Sequence, residues 1–176
     1  MNRLIIDNLL DSFDKKAFID EITSGNNLNL ELHYSSCFEN AKTLRSFVEV
    51  IFSKINVWWK HLSRFVLATD EMNNNAIEYW SKKWDINILR IMIQDDNDIL
   101  KIVIEVEDTW KGKNHKTADQ MNVFKKNKEK KCSSDTHSIR GRGLFIIILN
   151  IVDKLYFNDS KNWGLIVGVK KDIIKT

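Results

Sequence analysis

The chain has 176 residues and a formal net charge of +3, with 43% hydrophobic and 29% charged residues. This length supports one domain with a sizeable core, and no apolar run of about eighteen residues marks a membrane span. Acidic residues begin at Asp7, too early for a signal peptide, so we expect a cytoplasmic protein. Cys37 and Cys132 lie far apart without metal-ligand spacing, which argues against a disulfide framework or a zinc site.

The positive charge is concentrated in one segment. Between Lys111 and Lys131 there are eight lysines against two acidic residues, so the rest of the chain is net negative. A nucleic-acid-binding domain would spread basic residues over a broad face, and we therefore expect no direct contact with nucleic acid. Two interpretations of the segment stay open. It is either a solvated, mobile loop or a loop that covers phosphate groups.

Hydrophobic periodicity predicts the secondary structure in chain order. A helix or helical pair is expected over 3–20, a strand over 28–34, and helices over 39–55 and 65–79. A hairpin of strands at 86–93 and 100–106 precedes a lysine-rich connection to about 140, which is long enough to be a lid or a mobile loop. A helix from 145 and strands at 155–157 and 164–170 complete the chain.

This order of elements predicts an α+β fold, a two-layer α/β sandwich in which helices cover one face of a mixed, mostly antiparallel sheet. We expect residues 1–25 to form an N-terminal helical extension and residues 26–176 to form the main domain. The sequence suggests no role for the extension.

The helix predicted over 65–79 carries more polar residues than packing requires. Glu71 and Asn75 are four residues apart, so a carboxylate and an amide lie one above the other on the same helical face. Three consecutive asparagines, 73–75, are poor helix formers because their side chains compete for backbone hydrogen bonds. The pair could act on one small target, or the residues could form a solvated face.

Two further segments have the features of a nucleotide site. Asp108 follows the strand 100–106, and Gly112 comes shortly after it. The sequence Gly141-Arg142-Gly143-Leu144 precedes a strongly apolar segment. A glycine turn that opens a helix offers free backbone N–H groups and a positive dipole end to phosphate, although such a turn is often only a tight connection.

Taken together, three motifs resemble the ATP-binding domain of the GHKL superfamily, which has the Bergerat fold, and within it the bacterial anti-sigma-factor serine kinases. The sequence over 67–78 is similar to the family's asparagine motif, which implies that Glu71 is the general base and Asn75 a magnesium ligand. Asp108 and Gly112 resemble the box that binds adenine, and Gly141, Arg142, Gly143 and Leu144 resemble the glycine box that wraps the phosphates. The resemblance covers about residues 28–171 and implies ATP and Mg²⁺ as cofactors.

Two departures from the family pattern concern the adenine end. Trp110 occupies the place of the first glycine after Asp108, so the turn must differ or the indole lies on the base. Leu165 stands where a threonine usually follows a late glycine, which removes a hydroxyl that commonly supports the aspartate through water. We expect ATP binding with reduced affinity.

The resemblance implies a kinase that phosphorylates a STAS-type anti-anti-sigma protein and sequesters a sigma factor. An alternative is a non-enzymatic partner-binding module of the same fold with weak or lost ATP turnover. A third, the ATPase portion of a two-component histidine kinase, is disfavoured because no phosphoacceptor helical segment is visible. We expect no membrane partner, and a homodimer stays open.

Overall fold

The computed structural model describes residues 1–9, 12–55, 59–109, 111–112, 116–131, 151–162 and 164–175, with the side chains of 59–62 and 128–131 left out. Its strands are β1 (Asn2–Ile5), β2 (Leu28–Ser35), β3 (Ile86–Asp96), β4 (Ile99–Glu107), β5 (Lys154–Asp159) and β6 (Leu165–Ile174). Its helices are α1 (Lys15–Ile22), α2 (Glu39–Lys54), α3 (Trp59–Asn75) and α4 (Ala118–Lys131). A 3-10 turn covers Ile6–Asn8, and a π-helical turn, Ala76–Trp80, continues α3.

The six strands form one mixed sheet in the order β1-β2-β3-β4-β6-β5. β1 pairs with β2 in parallel, and every other neighbouring pair is antiparallel. The predicted fold class is therefore confirmed, a two-layer α+β sandwich with a mostly antiparallel sheet.

Alternation along the strands explains why the sheet has one covered face. On β2 the apolar residues Leu28, Leu30 and Leu32 are buried at every second position, as a period of two requires. The core contains these residues, the inward faces of α1, α2 and α3, and two residues of α4. In the described part of the chain the opposite face carries charged side chains, among them an ion pair between Glu31 and Arg90 with 2.8 Å between Oε1 and Nε.

The N-terminal segment differs from the helix expected over 3–20. Residues Asn2–Ile5 form an edge strand, Ile6–Asn8 form a 3-10 turn, and among the described residues of this segment the α-helix covers Lys15–Ile22. A short apolar run cannot distinguish strand from helix by periodicity, and the pairing of Arg3 with Glu31 supplies the missing long-range contact. The segment is further attached by Asp7, whose Oδ2 accepts a 2.8 Å hydrogen bond from the backbone N–H of Ser35. The proposed domain boundary at residue 25 stays a prediction.

The lysine-rich connection is also more ordered than expected, because Ala118–Lys131 form α4. A reciprocal capping box begins this helix. The backbone N–H of Gln120 donates to Thr117 Oγ1 at 3.2 Å, and that of Thr117 donates to Gln120 Oε1 at 3.0 Å. Ala118 and Met121 are buried, and Lys125 Nζ donates to the carbonyl of Leu155 at 2.7 Å. At least these residues therefore belong to a packed helix and not to a structureless loop, and a lid function stays a prediction.

The other predicted elements within the described residues agree in order, and their bounds shift by a few residues. The helix predicted from residue 145 falls almost wholly outside the described residues and stays a prediction. α3 begins at Trp59, ahead of the helix predicted from residue 65. The hairpin between β3 and β4 turns at Asn97, whose φ of 43° lies in the left-handed region that asparagine tolerates. Across the described segments, none of the helices has the length and apolar character needed to span a lipid bilayer.

Candidate nucleotide-binding site

The helix α3 places Glu71 and Asn75 at the edge of the core. Both side chains are half-buried, whereas Met72 and Ala76 beside them are buried in the core. The two polar groups are one helical turn apart and share a face, as their spacing predicts. This arrangement leaves a carboxylate and an amide accessible next to packed residues.

A change of helical geometry follows Asn75 immediately. In the π-helical turn the backbone N–H of Ser81 donates to the carbonyl of Ala76 at 3.0 Å, a spacing of five residues. Single π-helical turns occur often at functional sites. The backbone N–H of Gly112 donates to the carbonyl of Trp80 at 2.8 Å. This bond attaches the segment after Asp108 to the end of the helix that carries Glu71.

Gly112 allows this close approach because it lacks a side chain. A Cβ at this position would lie 2.2 Å from the carbonyl oxygen of Tyr79 and 2.5 Å from the carbonyl carbon of Trp80. Both are backbone atoms, so a larger residue would push the two segments apart. The glycine therefore joins the predicted adenine box to α3 by direct backbone packing.

Asp108 lies at the end of β4 and is 3% exposed. Two backbone groups of Leu165 hold it. The N–H of Leu165 donates to Asp108 Oδ1 at 3.1 Å, and the N–H of Asp108 donates to the carbonyl of Leu165 at 3.1 Å. The side chain of Leu165 lacks a hydroxyl, but its backbone N–H supports the carboxylate directly. The backbone N–H of Leu165 therefore replaces part of the support that the missing hydroxyl would give to Asp108.

Gly164 is a further contact of Asp108. A Cβ on Gly164 would lie 1.8 Å from the carbonyl oxygen of Asp108. No side chain fits in that space, so this position requires glycine for as long as the two backbones stay in contact. The main chain from β6 is thus packed against the main chain at the end of β4.

A buried hydroxyl connects α3 to the sheet near Asp108. Tyr34 is fully buried, and its hydroxyl donates to Asn73 Oδ1 at 2.8 Å. Burial raises the pKa of Tyr34, and the negative charge of Asp108 raises it further. Tyr34 is therefore close to both Asp108 and α3. Its bond to Asn73 limits the rotation of α3 about its own axis. The side chains of Glu71 and Asn75 then lie on the solvent-accessible side of α3.

The polar network continues through β3 to the residue after Asp108. Asn87 pairs with Tyr34 across the strands, and its Oδ1 accepts from Ser81 Oγ at 2.5 Å. Ser81 Oγ accepts in turn from the backbone N–H of Thr109 at 3.1 Å. In the region the structure describes, the amide nitrogens of Asn73 and Asn87 are buried without a hydrogen-bond acceptor. Buried donors of this kind fit ordered water or a polar ligand.

A second contact limits the movement of α3. Asp70 precedes Glu71, and its Oδ2 accepts from Arg45 Nη1 of α2 at 2.8 Å. Burial raises the pKa of Asp70, and so do the charges of Glu49 and Glu71, while Arg45 opposes the shift. α3 is therefore held by the sheet on one side and by α2 on the other.

The structure thus brings three predicted positions into one region, namely the Glu71 and Asn75 face of α3, Asp108, and Gly112. Gly141, Arg142, Gly143 and Leu144, together with Trp110, lie outside the described residues. Sequence reasoning missed Tyr34, Asn73 and Gly164 as supporting residues. Asn73 could have been found, because an asparagine on the buried stripe of an amphipathic helix requires a partner.

The residues present suit a purine nucleotide with a hard cation. A buried carboxylate accepts a hydrogen bond from an exocyclic amino group, which adenine has and guanine lacks at the corresponding position. The amide oxygen of Asn75 is a ligand type that Mg²⁺ accepts beside water and phosphate oxygens. The half-buried carboxylate of Glu71, one turn away, can accept a proton.

A two-layer sandwich has the features of an ATP-binding domain when a buried carboxylate at a strand end is joined, here through Gly112 and Thr109, to the end of the helix that carries an accessible carboxylate and amide. Residues 35–170 match the model of the histidine kinase-like ATPase domain family. The chain belongs to this family and is an ATP-binding domain of the GHKL type. Among curated proteins, none matches the sequence.

Proposed function

We propose that this protein is a serine-protein kinase that phosphorylates a STAS-type anti-anti-sigma protein and sequesters a sigma factor when it is not so engaged. The observation that carries the proposal is the placement of Glu71 and Asn75, half-buried on one face of α3 while their neighbours pack into the core. The motif over 67–78 resembles that of the anti-sigma-factor kinases, and membership of the wider ATPase family supports ATP as the cofactor.

The chemistry follows from the residue types. Asp108 accepts a hydrogen bond from the adenine amino group, and Asn75 contributes an oxygen ligand to Mg²⁺. Glu71 accepts the proton of the attacking serine hydroxyl. The serine oxygen would bond to the γ-phosphorus of ATP while the bond to the β-phosphate oxygen breaks and ADP leaves, and the cation would balance the phosphate charge. Both protein partners are inferred from the resemblance, since the fold alone does not specify them.

The experiment has two stages. Calorimetric titration with ATP, with and without Mg²⁺, first measures nucleotide binding by the purified chain. The chain is then incubated with ATP, Mg²⁺ and a STAS-type protein encoded in the same genome, and phosphoserine on that protein is measured by mass spectrometry. Phosphoryl transfer by the parent chain that is absent in the Glu71→Gln control supports the kinase. ATP binding without any transfer to STAS-type proteins contradicts it.

The second candidate is a partner-binding module of the same fold without useful ATP turnover. The side chain of Leu165 favours it, because a hydroxyl is missing beside the predicted adenine-binding carboxylate. The hydrogen bond from the Leu165 backbone N–H to Asp108 weighs against it, since the carboxylate is still held. The module predicts that sigma-factor binding is unchanged by ATP, whereas the kinase predicts that nucleotide changes it.

A further inference from the structure

Glu107 is the neighbour of Asp108 and points to the other side of the sheet. It is the last residue of β4, it is 5% exposed, and successive residues of a strand face opposite ways. The carboxylate of Asp108 therefore lies on the face covered by helices, and that of Glu107 lies on the face opposite. A buried carboxylate on the open face of a sheet requires compensating partners.

The partners of Glu107 come from two directions. Arg90 of β3 donates from Nη2 to Glu107 Oε2 at 2.5 Å, and the same guanidinium donates from Nε to Glu31 at 2.8 Å. On the other side, Ser160 Oγ donates to Glu107 Oε1, and Asn162 Nδ2 donates to the same oxygen at 3.4 Å. Glu107 thus connects the centre of the sheet to the turn between β5 and β6.

That turn leads directly to the groups that hold Asp108. The backbone N–H of Ser160 donates to the carbonyl of Gly164 at 2.7 Å, and Ser160 Oγ accepts from the backbone N–H of Asn162 at 3.0 Å. Gly164 contacts the Asp108 backbone, and the Leu165 N–H donates to Asp108 Oδ1. A displacement of the turn would therefore move the donor that orients the carboxylate.

We propose that Glu107 and Ser160 are positioning residues for recognition of the nucleotide base, because they fix the turn whose backbone orients Asp108. This inference rests on the proposed role of Asp108 in binding adenine. The two residues make no contact with the nucleotide themselves. Their effect is on the direction of the Asp108 carboxylate, and hence on the preference for an amino group over a carbonyl on the base.

A neighbouring carboxylate provides a matched control. Glu105 lies on the same strand and the same face, two residues before Glu107, and its Oε1 accepts from the hydroxyl of Tyr156 at 2.5 Å. Tyr156 belongs to β5, ahead of the turn, so Glu105 joins the same two parts of the sheet without contacting Ser160 in the described structure. Glu105→Gln and Glu107→Gln are therefore the same chemical change at two related places.

The experiment measures the affinities of the parent and its variants for ATP and GTP, with melting curves to confirm folding. The variants are Glu107→Gln, Ser160→Ala, Ser160→Thr, Glu105→Gln and Asp108→Asn. Ser160→Ala removes both hydrogen bonds of the Ser160 hydroxyl, to Glu107 and from the Asn162 N–H. It should weaken ATP binding by about three- to tenfold and reduce the preference for ATP over GTP by a similar factor. Ser160→Thr restores the hydroxyl and should bind like the parent. Glu105→Gln should keep the parent's preference for ATP.

The outcomes separate this inference from the function on which it rests. A reduced preference for ATP in Glu107→Gln and Ser160→Ala, with non-additive effects when both are combined, supports the positioning role. An unchanged ratio of ATP to GTP affinity in Ser160→Ala, while Asp108→Asn still loses ATP, overturns the inference and leaves the ATP site intact. If the parent binds no ATP, both the proposed function and this inference fail.

Discussion

The two halves of the candidate site are held in different ways. At the proposed adenine end, the Asp108 carboxylate is buried and oriented by a backbone N–H, and Gly164 lies against its main chain. At the α3 end, Glu71 and Asn75 are half-buried side chains on a helix. Their direction depends on the rotation of that helix, which the bonds of Asn73 and Asp70 fix.

This difference suggests a division of roles. A base is selected by hydrogen bonds of fixed direction, which packed backbone groups provide at little cost in side-chain entropy. Proton transfer and metal binding need groups that reach the reacting atoms and exchange partners during the reaction, which half-exposed side chains can do. Variants at the two ends should therefore fail in different ways.

The largest expected effect is on phosphoryl transfer at the α3 end. Glu71→Gln removes the proton acceptor and keeps the shape of the side chain, so transfer should fall by about two orders of magnitude or more with ATP affinity unchanged. Glu78→Gln is the control, because Glu78 is exposed on the following turn. Single-turnover transfer and calorimetric ATP titration measure the two quantities. Parent-like transfer in Glu71→Gln would show that another group is the base.

Asp108→Asn should show the opposite behaviour, a loss of binding. The amide oxygen can still accept from the Leu165 N–H, so the fold should be kept, but the charge is lost and a donor can face the adenine amino group. We expect a cost of about 1 to 3 kcal/mol, or roughly ten- to a hundredfold in affinity. Titration with ATP beside a melting curve checks both. Lower stability with unchanged affinity would assign Asp108 a structural role only.

Gly164→Ala should affect both binding and stability at the adenine end. The new methyl group would meet the Asp108 carbonyl oxygen at 1.8 Å, so one of the two backbones must move. Overpacking of this kind costs about 1 to 3 kcal/mol of folding free energy, and we expect ATP affinity to fall about tenfold as Asp108 shifts. Gly25→Ala adds a Cβ that meets nothing within 4 Å but strains a backbone with a φ of 60°, so it should lower stability and leave ATP affinity unchanged.

The smallest effect concerns the pH dependence of stability near α3. Burial, together with the charges of Glu49 and Glu71, raises the pKa of Asp70 above its ordinary value of 3.8. The folded state therefore binds the proton more tightly, so the contribution is greatest at low pH and is lost as pH rises through the raised pKa. Asp70→Asn should flatten this decline, measured by urea unfolding as the pH is raised above the ordinary value of 3.8. Asp20→Asn removes a carboxyl whose pKa Lys54 lowers below 3.8, so its contribution changes only at more acidic pH, and this control should leave the slope above about pH 4 unchanged.

Most of the elements that a local sequence pattern specifies were predicted, and an element that depends on a partner remote in sequence was missed. Strands such as Leu28–Ser35 and helices such as Glu39–Lys54 were predicted because local alternation or helical periodicity specifies them. The edge strand Asn2–Ile5 was missed because its partner in β2 is remote in sequence. The helix Ala118–Lys131 was missed although Thr117 and Gln120 carry a capping signal, because the lysines suggested a solvated loop.

By itself the sequence determined the residue types of the site and their spacing on one helix, since Glu71 and Asn75 share a face in any α-helix. It also determined the fold class, because the order of periodic segments limits how their apolar faces can be buried. Only the tertiary structure decided that Leu165 holds Asp108, that Gly112 touches the end of α3, and that Tyr34 fixes its rotation. These contacts join residues far apart in the chain, and their geometry depends on the packing of the whole sheet, which no local pattern encodes.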